Sequence, residues 1–182
     1  RNLHRDGILA VTEVFEGNLP ARLVEQALQA ATAIAHQLHY VGVLCIEYFV
    51  VDDGSPEGGL VVNEMAPRPH NSGHYTLNAC DVSQFELQVR AMAGLPLVQP
   101  RLHSPVVMLN LLGDLWFDGA QQRAPDWAAV LAIPGTHLHL YGKLDARPGR
   151  KMGHLNVTGP DLATTQARAR QAADLLGIAP WQ

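Results

Sequence analysis

The chain has 182 residues, of which 47% are hydrophobic, and carries a formal net charge of −4. This length suits one domain or one and a half, with enough apolar residues for a buried core. The negative charge gives no general attraction to nucleic acid or to anionic membranes, so we expect neither as a partner.

The cysteine content and the hydropathy pattern predict a reduced, cytoplasmic protein. The two cysteines, Cys45 and Cys80, are too few for a disulfide scaffold and do not have the spacing of a zinc site. The sequence shows no signal peptide and no apolar run near the roughly 20 residues that cross a bilayer. We therefore expect no association with a membrane.

The first part of the sequence predicts a strand followed by an amphipathic helix. A polar segment at 2–9 leads into a β-rich run at 8–15. Asn18 is a candidate N-cap, and Pro20 suits a first helical turn. Apolar residues then recur at spacings of three and four, which predicts a helix of about five turns with one buried face. These residues are Val24, Ala27, Leu28, Ala31, Ile34, Ala35 and Leu38.

Two apolar runs, at 41–51 and 60–65, flank a turn rich in Asp, Gly and Pro and predict a β-hairpin. The length and β-branched content of the first run predict a strand that is buried on both faces. If Val51 pairs with Leu60, each step back along one strand matches a step forward along the other.

This pairing places Glu47 opposite Glu64. Directly opposed Cβ atoms lie about 4.5–5.5 Å apart, so the two like charges repel unless something lies between them. A divalent cation with oxygen ligands, Mg²⁺ or Mn²⁺, satisfies both acids. The alternative is that each glutamate pairs with a nearby Arg or Lys, or lies at a strand end.

The loop that follows the second strand concentrates polar groups. Pro67 and Pro69 restrict the backbone on both sides of Arg68, and His70 and Asn71 follow directly. Arginine grips two oxygens at once, while an imidazole and an amide offer directed hydrogen bonds, which suits a small anion. The alternative is a rigid surface turn with a structural histidine.

The second part of the sequence predicts alternating strands and helices. Ser83 and Glu86 form a capping box for a helix at 83–93. The composition then changes near residues 99–104, so we predict one subdomain at 1–100 and another at 101–182. Further elements are predicted as strands at 106–112, 137–141 and 152–157, a short helix at 127–131 and a closing helix at 161–176.

Two segments carry a family resemblance. The sequence Asn-Glu-Met-Ala-Pro-Arg-Pro-His-Asn-Ser-Gly-His at 63–74 resembles the ATP-grasp ligases and, among them, the N5-carboxyaminoimidazole ribonucleotide synthetases. The run from Tyr-Gly-Lys to Arg-Lys-Met-Gly-His at 141–154 is similar to the C-terminal signature of these synthetases. The resemblance extends over essentially the whole chain, but only to the second half of the family's sequence.

This resemblance implies an α+β fold. It predicts the C-terminal half of an ATP-grasp fold, an antiparallel sheet with helices on one face, followed by a small, mostly β subdomain with a closing helix. No Walker-type or dinucleotide-binding glycine motif is found in the chain. We expect the N-terminal half of the same enzyme to be missing and this chain to be inactive by itself.

The resemblance also assigns roles to residues at the predicted hairpin. Glu47 and Glu64 correspond to the acids that hold the Mg²⁺ ions bridging the phosphates of ATP. His4 and Asn63 correspond, with Glu64, to positions that contact the nucleotide. Taken alone, His4 has no feature that separates it from an ordinary surface histidine.

Further assignments concern the two anions of the reaction. Arg68, His70 and Asn71 correspond to residues that bind bicarbonate and carboxyphosphate. Lys143 and Arg150 correspond to residues that bind the 5′-phosphate of the ribonucleotide. From the residues alone, the loop that contains them also suits a solvated hairpin tip.

The implied reaction carboxylates 5-aminoimidazole ribonucleotide with bicarbonate and ATP, through carboxyphosphate, to N5-carboxyaminoimidazole ribonucleotide in purine synthesis. The family resemblance further implies a homodimer. Alternatives are another ATP-grasp ligase, such as a glycinamide ribonucleotide transformylase or a biotin carboxylase, or a non-catalytic module for nucleotide binding or dimerisation.

Overall fold

Residues 1–56 and 58–181, which the computed structural model describes, form an α+β fold with antiparallel sheets. The strands are β1 (Asn2–Arg5), β2 (Ile8–Val14), β3 (Cys45–Val51), β4 (Gly59–Ala66), β5 (Val106–Leu112), β6 (Phe117–Asp118), β7 (Gln121–Gln122), β8 (Thr136–Leu140) and β9 (Lys151–Thr158). The α-helices are α1 (Ala21–Gln37), α2 (Thr76–Ala79), α3 (Gln84–Met92), α4 (Trp127–Leu131) and α5 (Leu162–Leu176).

The main sheet has five strands in the order β1-β2-β5-β9-β8, and every neighbouring pair is antiparallel. The apolar strands β5 and β9 occupy its interior, and α5 packs against them through small residues that allow close approach. These residues are Ala169, Ala172 and Ala173. The sheet takes two strands from before residue 100 and three from after it, so the two predicted subdomains share one sheet.

Most elements follow from their local sequence. The predicted bounds of β5 and α4 agree with the structure, and α3 and α5 begin after the side-chain caps of Ser83 and Asp161. At the first helix, Pro20 is itself the N-cap residue and Asn18 lies before it. The polar segment at 2–9, to which no strand was assigned before residue 8, contains strand β1, which pairs with β2.

The prediction of a strand buried on both faces at 41–51 is wrong. Strand β3 begins only at Cys45, and Phe49 and Val50 are 54% and 51% exposed. The physical reason is that β3 pairs with β4 alone, in a separate two-stranded sheet, which leaves side chains on both of its faces in contact with solvent.

Three histidines join this hairpin region to the main sheet. His139 of β8 and His154 of β9 are directly paired, and their rings stack with centroids 4.5 Å apart. The ring of His74, from the segment after β4, lies 4.7 Å from His154. Burial, with the neighbouring imidazoles, lowers the pKa of His74 to about 4 and that of His154 to about 3.

Hydrogen bonds reinforce this junction. The Asn156 side chain donates to the His74 carbonyl at 3.1 Å and to Asn78 Oδ1 at 2.8 Å. The Tyr141 hydroxyl lies 2.9 Å from His154 Nδ1, and burial raises the pKa of Tyr141 to about 12. The segment around residue 74 is therefore fixed to the main sheet at strand β9. Within the described residues, none of the helices combines the length and the apolar character needed to cross a bilayer.

Replacing Leu155 with Ala tests the core of the main sheet. Leu155 is fully buried in β9, so we expect the free energy of unfolding to fall by about 2–5 kcal/mol, from lost burial and from the cavity. Urea unfolding followed by circular dichroism measures the change. The matched control is Leu175→Ala on α5, where the side chain is 48% exposed, and it should cost about 0.5 kcal/mol. Equal losses for the two variants would contradict the assigned core.

Acidification should destabilise the fold because it protonates His74 and His154, whose rings lie next to each other. Because the native pKa of His74 and of His154 lies below the ordinary 6.5, the unfolded chain binds more protons than the folded chain in that window. Their contribution to stability is therefore complete above about pH 6.5 and declines as the pH falls toward about 4. Allowing for solvent screening and for coupling between the rings, we expect a loss of about 1–3 kcal/mol.

Urea unfolding at several pH values measures this loss. The variant His154→Gln should reduce the slope of the free energy of unfolding against pH, since it removes one of the two titrating groups. His36→Gln, at an exposed position of α1, is the control and should leave the slope unchanged. A slope that is the same in both variants would show that carboxylates alone cause the acid sensitivity.

Candidate active site

The hairpin register brings the two predicted acids together. In the structure Val51 pairs with Gly59, and not with Leu60 as predicted, so the strands near the turn are shifted by one residue. A β-bulge next to Glu47 shifts the register back, and Glu47 pairs with Glu64 as predicted. Directly paired residues project to the same face, so both carboxylates lie on one side of the hairpin.

Glu47 is buried, with an exposed fraction of 8%, and polar side chains surround its carboxylate. Asn2 Nδ2 donates to Oε1 at 3.1 Å, and His70 Nδ1 lies 3.6 Å from the same oxygen. His4 Nε2 lies 3.9 Å from Oε2. His4, which the sequence predicts as a nucleotide contact, thus lies beside this acid, and Asn2 is a neighbour that the sequence did not indicate.

His70 lies between the two acids. Its Nε2 is 3.6 Å from Glu64 Oε1, while its Nδ1 faces Glu47 and contacts Ser72 Oγ at 2.9 Å. The Glu64 side chain is about half exposed, unlike that of Glu47. The arrangement therefore combines a buried and an accessible carboxylate around one imidazole.

A buried glutamine fixes the backbone of His70. The amide of Gln84 accepts from His70 N–H at 2.9 Å and donates to His70 C=O at 2.8 Å. A Cβ on Gly73 would lie 2.6 Å from Gln84 Oε1, so a glycine is required for this side chain to fit. The sequence gives no local signal for this contact, because Gln84 is the first residue of a helix that begins 14 positions after His70.

The other two members of the predicted anion-binding trio have different environments. Asn71 is buried, and within residues 1–56 and 58–181 neither its Oδ1 nor its Nδ2 has a hydrogen-bond partner. Buried amides without partners are uncommon in folded proteins, which makes this side chain a candidate for a ligand contact. Arg68 is exposed, and its guanidinium donates to the Pro69 carbonyl at 3.0 Å.

A cleft of about 430 Å³ opens beside this cluster, between β1, α1 and the hairpin. Its walls combine apolar side chains of α1 with polar groups that include His4, Glu47 and Asn63. Asn63 occupies the bulge position of β4, where it has no directly paired residue on β3. Three of the predicted nucleotide or metal contacts thus line one cleft.

Lys143 and Arg150 lie in the loop between β8 and β9. Lys143 Nζ donates to the Lys151 carbonyl and lies 5.6 Å from the centre of the Tyr141 ring. The Arg150 guanidinium donates to the Asp145 carbonyl at 2.7 Å. Both cations are therefore held by backbone carbonyls in and beside their loop.

The donor set at the hairpin fits a magnesium ion. Two carboxylates from paired strands, one of them accessible, provide the oxygen ligands that Mg²⁺ prefers and leave positions for phosphate oxygens. The cleft beside them has room for part of a nucleotide.

Comparison with protein families gives two matches in succession. Residues 1–85 match the ATP-grasp domain, and residues 106–168 match the phosphoribosylaminoimidazole carboxylase C-terminal domain.

Individual relatives agree with these matches. The N5-carboxyaminoimidazole ribonucleotide synthase of Escherichia coli (strain K12) is 44% identical over 176 residues, which cover 96% of this chain and 44% of that protein. The synthase of Brucella melitensis is 46% identical over 159 residues, which cover 87% of this chain and 40% of that protein.

Solved structures of the synthetases share the fold. The enzyme from Thermus thermophilus superimposes with a TM-score of 0.86 at 37% identity, covering all of this chain and 46% of that one. An Aspergillus clavatus enzyme in complex with ADP and 5-aminoimidazole ribonucleotide gives a TM-score of 0.82 at 32% identity, covering 97% and 46%. The chain thus spans less than half the length of the relatives it matches. It is homologous to the C-terminal portion of the N5-carboxyaminoimidazole ribonucleotide synthetases, within the ATP-grasp group.

Proposed function

We propose that this chain provides the metal-binding, bicarbonate-binding and ribonucleotide-phosphate-binding part of an enzyme that carboxylates 5-aminoimidazole ribonucleotide. The observation that carries the proposal is the placement of Glu47 and Glu64 on one face of a hairpin, around His70, beside a cleft. The relative described with ADP and 5-aminoimidazole ribonucleotide supports the identity of the substrates.

Glu47 and Glu64 would hold Mg²⁺ or Mn²⁺, which when bound neutralises charge on the phosphates of ATP. Binding of the ion would stabilise the two carboxylates because it relieves their mutual repulsion. His4 and Asn63 line the cleft on the side of Glu47, where they offer hydrogen bonds to the nucleotide phosphates.

His70, Asn71 and Arg68 would bind bicarbonate and then carboxyphosphate. A bicarbonate oxygen attacks the γ-phosphorus of ATP and ADP leaves. The exocyclic amine of the ribonucleotide then forms a bond to the carboxyl carbon and inorganic phosphate leaves. The fixed His70 backbone and the unpaired amide of Asn71 are suited to orienting this anion, and the exposed Arg68 can turn its guanidinium toward it.

Lys143 and Arg150 would bind the 5′-phosphate of the ribonucleotide. A phosphate dianion can replace the backbone carbonyls that both side chains now contact, because a charged acceptor forms the stronger hydrogen bond. The base of this loop is tied through Tyr141 and His154 to the segment that carries His70. The distance between the two anion sites is therefore set by the main sheet.

The proposed reaction also requires the part of the enzyme that lies outside this chain. Because the chain spans less than half of its relatives, we propose that turnover requires the remaining residues and that this chain alone does not catalyse the reaction. We propose that the whole enzyme is a homodimer, as the family resemblance implies, and that it is cytoplasmic, as its low cysteine content indicates.

Substitution of Glu64 by Gln in a full-length enzyme that contains this chain tests the metal role. We expect bicarbonate-dependent ATP hydrolysis to fall by roughly a hundredfold or more, since the amide cannot replace a charged metal ligand. Coupled assay of ADP release measures the rate. The control is Glu25→Gln on the exposed face of α1, which should change the rate little. A Glu64 variant as active as that control would contradict the proposal.

Substitution of Arg150 by Ala in the same enzyme tests the phosphate role. Loss of a charge-assisted hydrogen bond of about 1.5–3 kcal/mol should raise KM for 5-aminoimidazole ribonucleotide by roughly 10- to 150-fold. KM for ATP should remain nearly unchanged. Arg147→Ala, in the same exposed loop, is the matched control and should leave both constants near their original values.

The same assay separates the other ATP-grasp ligases. Turnover with glycinamide ribonucleotide in place of the aminoimidazole substrate would indicate a transformylase.

A rise in KM in the Arg147 variant, but not in the Arg150 variant, would show that the phosphate contact was assigned to the wrong arginine.

A further inference from the structure

The proposed reaction makes no use of Cys45, yet this cysteine lies at the centre of the site. It is the first residue of β3, paired with Ala66, and it precedes Glu47 by two positions. Side chains two residues apart in a strand project to the same face, so the thiol and the Glu47 carboxylate lie on the same side of the hairpin. Cys45 lines the same cleft and is half-buried.

The loop after β4 adds a third group. A ligand atom from each of Cys45, Glu47 and His70 lies within 4.8 Å of the other two. The shortest recorded separation among them is 3.6 Å, from Glu47 Oε1 to His70 Nδ1. Sulfur, nitrogen and oxygen ligands around a tetrahedral zinc ion are roughly 3.3–3.8 Å apart, given bond lengths of about 2.0–2.3 Å. Small side-chain rotations therefore bring the three atoms to one ion.

The surroundings of His70 also match those of a metal-bound histidine. With Nδ1 directed at the cluster, the opposite ring nitrogen Nε2 lies 3.6 Å from Glu64 Oε1. A carboxylate behind the second nitrogen of a ligating histidine fixes its tautomer and increases its basicity. The Gln84 contacts that hold the His70 backbone add rigidity to the same ligand.

The geometry points to a binding site for a thiophilic divalent cation, with Zn²⁺ as the preferred ion, formed by Cys45, Glu47 and His70. A fourth ligand position on the ion is open to water. The Ser72 hydroxyl contacts both the thiol and the imidazole. Mg²⁺ selects oxygen ligands, whereas a thiolate and an imidazole select zinc-like ions. The count of cysteines in the sequence argued against zinc, but the folded chain combines one cysteine with two other ligand types.

Binding at this site releases a proton. The thiolate, rather than the thiol, is the ligand of a metal ion. The incoming Zn²⁺ forms a bond to sulfur, and the displaced S–H proton goes to solvent.

Occupancy of this site would compete with the proposed reaction. Zn²⁺ would occupy Glu47 and His70, so that Glu47 could not bind Mg²⁺ and His70 could not bind bicarbonate. Zn²⁺ should therefore inhibit the full-length enzyme. This consequence rests on the proposed function. The binding itself involves only residues of this chain and is testable without ATP or ribonucleotide.

Spectroscopic titration with Co²⁺, a stand-in for Zn²⁺, tests the site on the 182-residue chain. We expect a near-ultraviolet thiolate-to-cobalt band that saturates with one ion per chain and is displaced by Zn²⁺. Cys45→Ser should abolish the band and weaken Zn²⁺ binding by at least about tenfold. Cys80→Ser, at the other half-buried free cysteine, should retain both. A band that survives in Cys45→Ser, or that disappears equally in Cys80→Ser, would overturn the proposal.

A second measurement needs no substitution. Alkylation of the unmodified chain with iodoacetamide, followed by peptide mass spectrometry, reports each cysteine separately. Zn²⁺ should slow the alkylation of Cys45 and leave that of Cys80 unchanged. Equal rates at Cys45 with and without Zn²⁺ would overturn the site. Zn²⁺ binding without inhibition of the full-length enzyme would instead count against the proposed function and leave the site in place.

Discussion

Two glutamates that face each other across a hairpin impose the main electrostatic constraint on this chain. For like charges about 5–6 Å apart near a protein surface, repulsion amounts to about 3 kcal/mol. The structure places a single imidazole, His70, within 3.6 Å of an oxygen from each acid. An imidazole carries at most one positive charge against two carboxylates, so the arrangement favours the arrival of a cation. This bias toward positive charge is the physical basis of the proposed site.

The rest of the fold holds that arrangement in place. His70 is fixed by Gln84 at the start of α3, and the next turn of chain is anchored by His74 to the stacked histidines of β8 and β9. The loop with Lys143 leaves the same pair of strands and is tied to them by Tyr141. One sheet therefore sets the spacing between the hairpin cluster and the basic loop. The sheet does so by combining strands from both ends of the chain.

Local sequence signals were sufficient for most of the elements and insufficient for their contacts. Capping residues and apolar periodicity located α3, α5 and β5 because these signals act within a few residues. A simple hairpin predicted the pairing of Glu47 with Glu64 because the two features that it lacked, a turn shifted by one residue and a bulge at Asn63, cancel each other. Bulges depend on the pairing of two strands and leave little trace in either one.

Contacts between distant segments had no sequence signal at all. Gln84 reaches His70 from the start of α3, 14 residues later, and the three histidines that contact one another come from three separate segments. The polar strand β1 was not recognised because its edge position lets hydrophilic residues pair with β2. Site residues that share a short motif were therefore visible in the sequence, whereas the residues that orient them were not.

The same cluster can distinguish between cations by the ligands that each one recruits. A hard ion uses the oxygens of Glu47 and Glu64 and leaves the imidazole of His70 free to contact an anion. A thiophilic ion instead takes the sulfur of Cys45 and Nδ1 of His70, and leaves the Glu64 carboxylate 3.6 Å behind the ring. Glu47 is common to both sets, so the two modes exclude each other. The choice between them depends on which ion reaches the site, because only a thiophilic ion recruits the sulfur of Cys45.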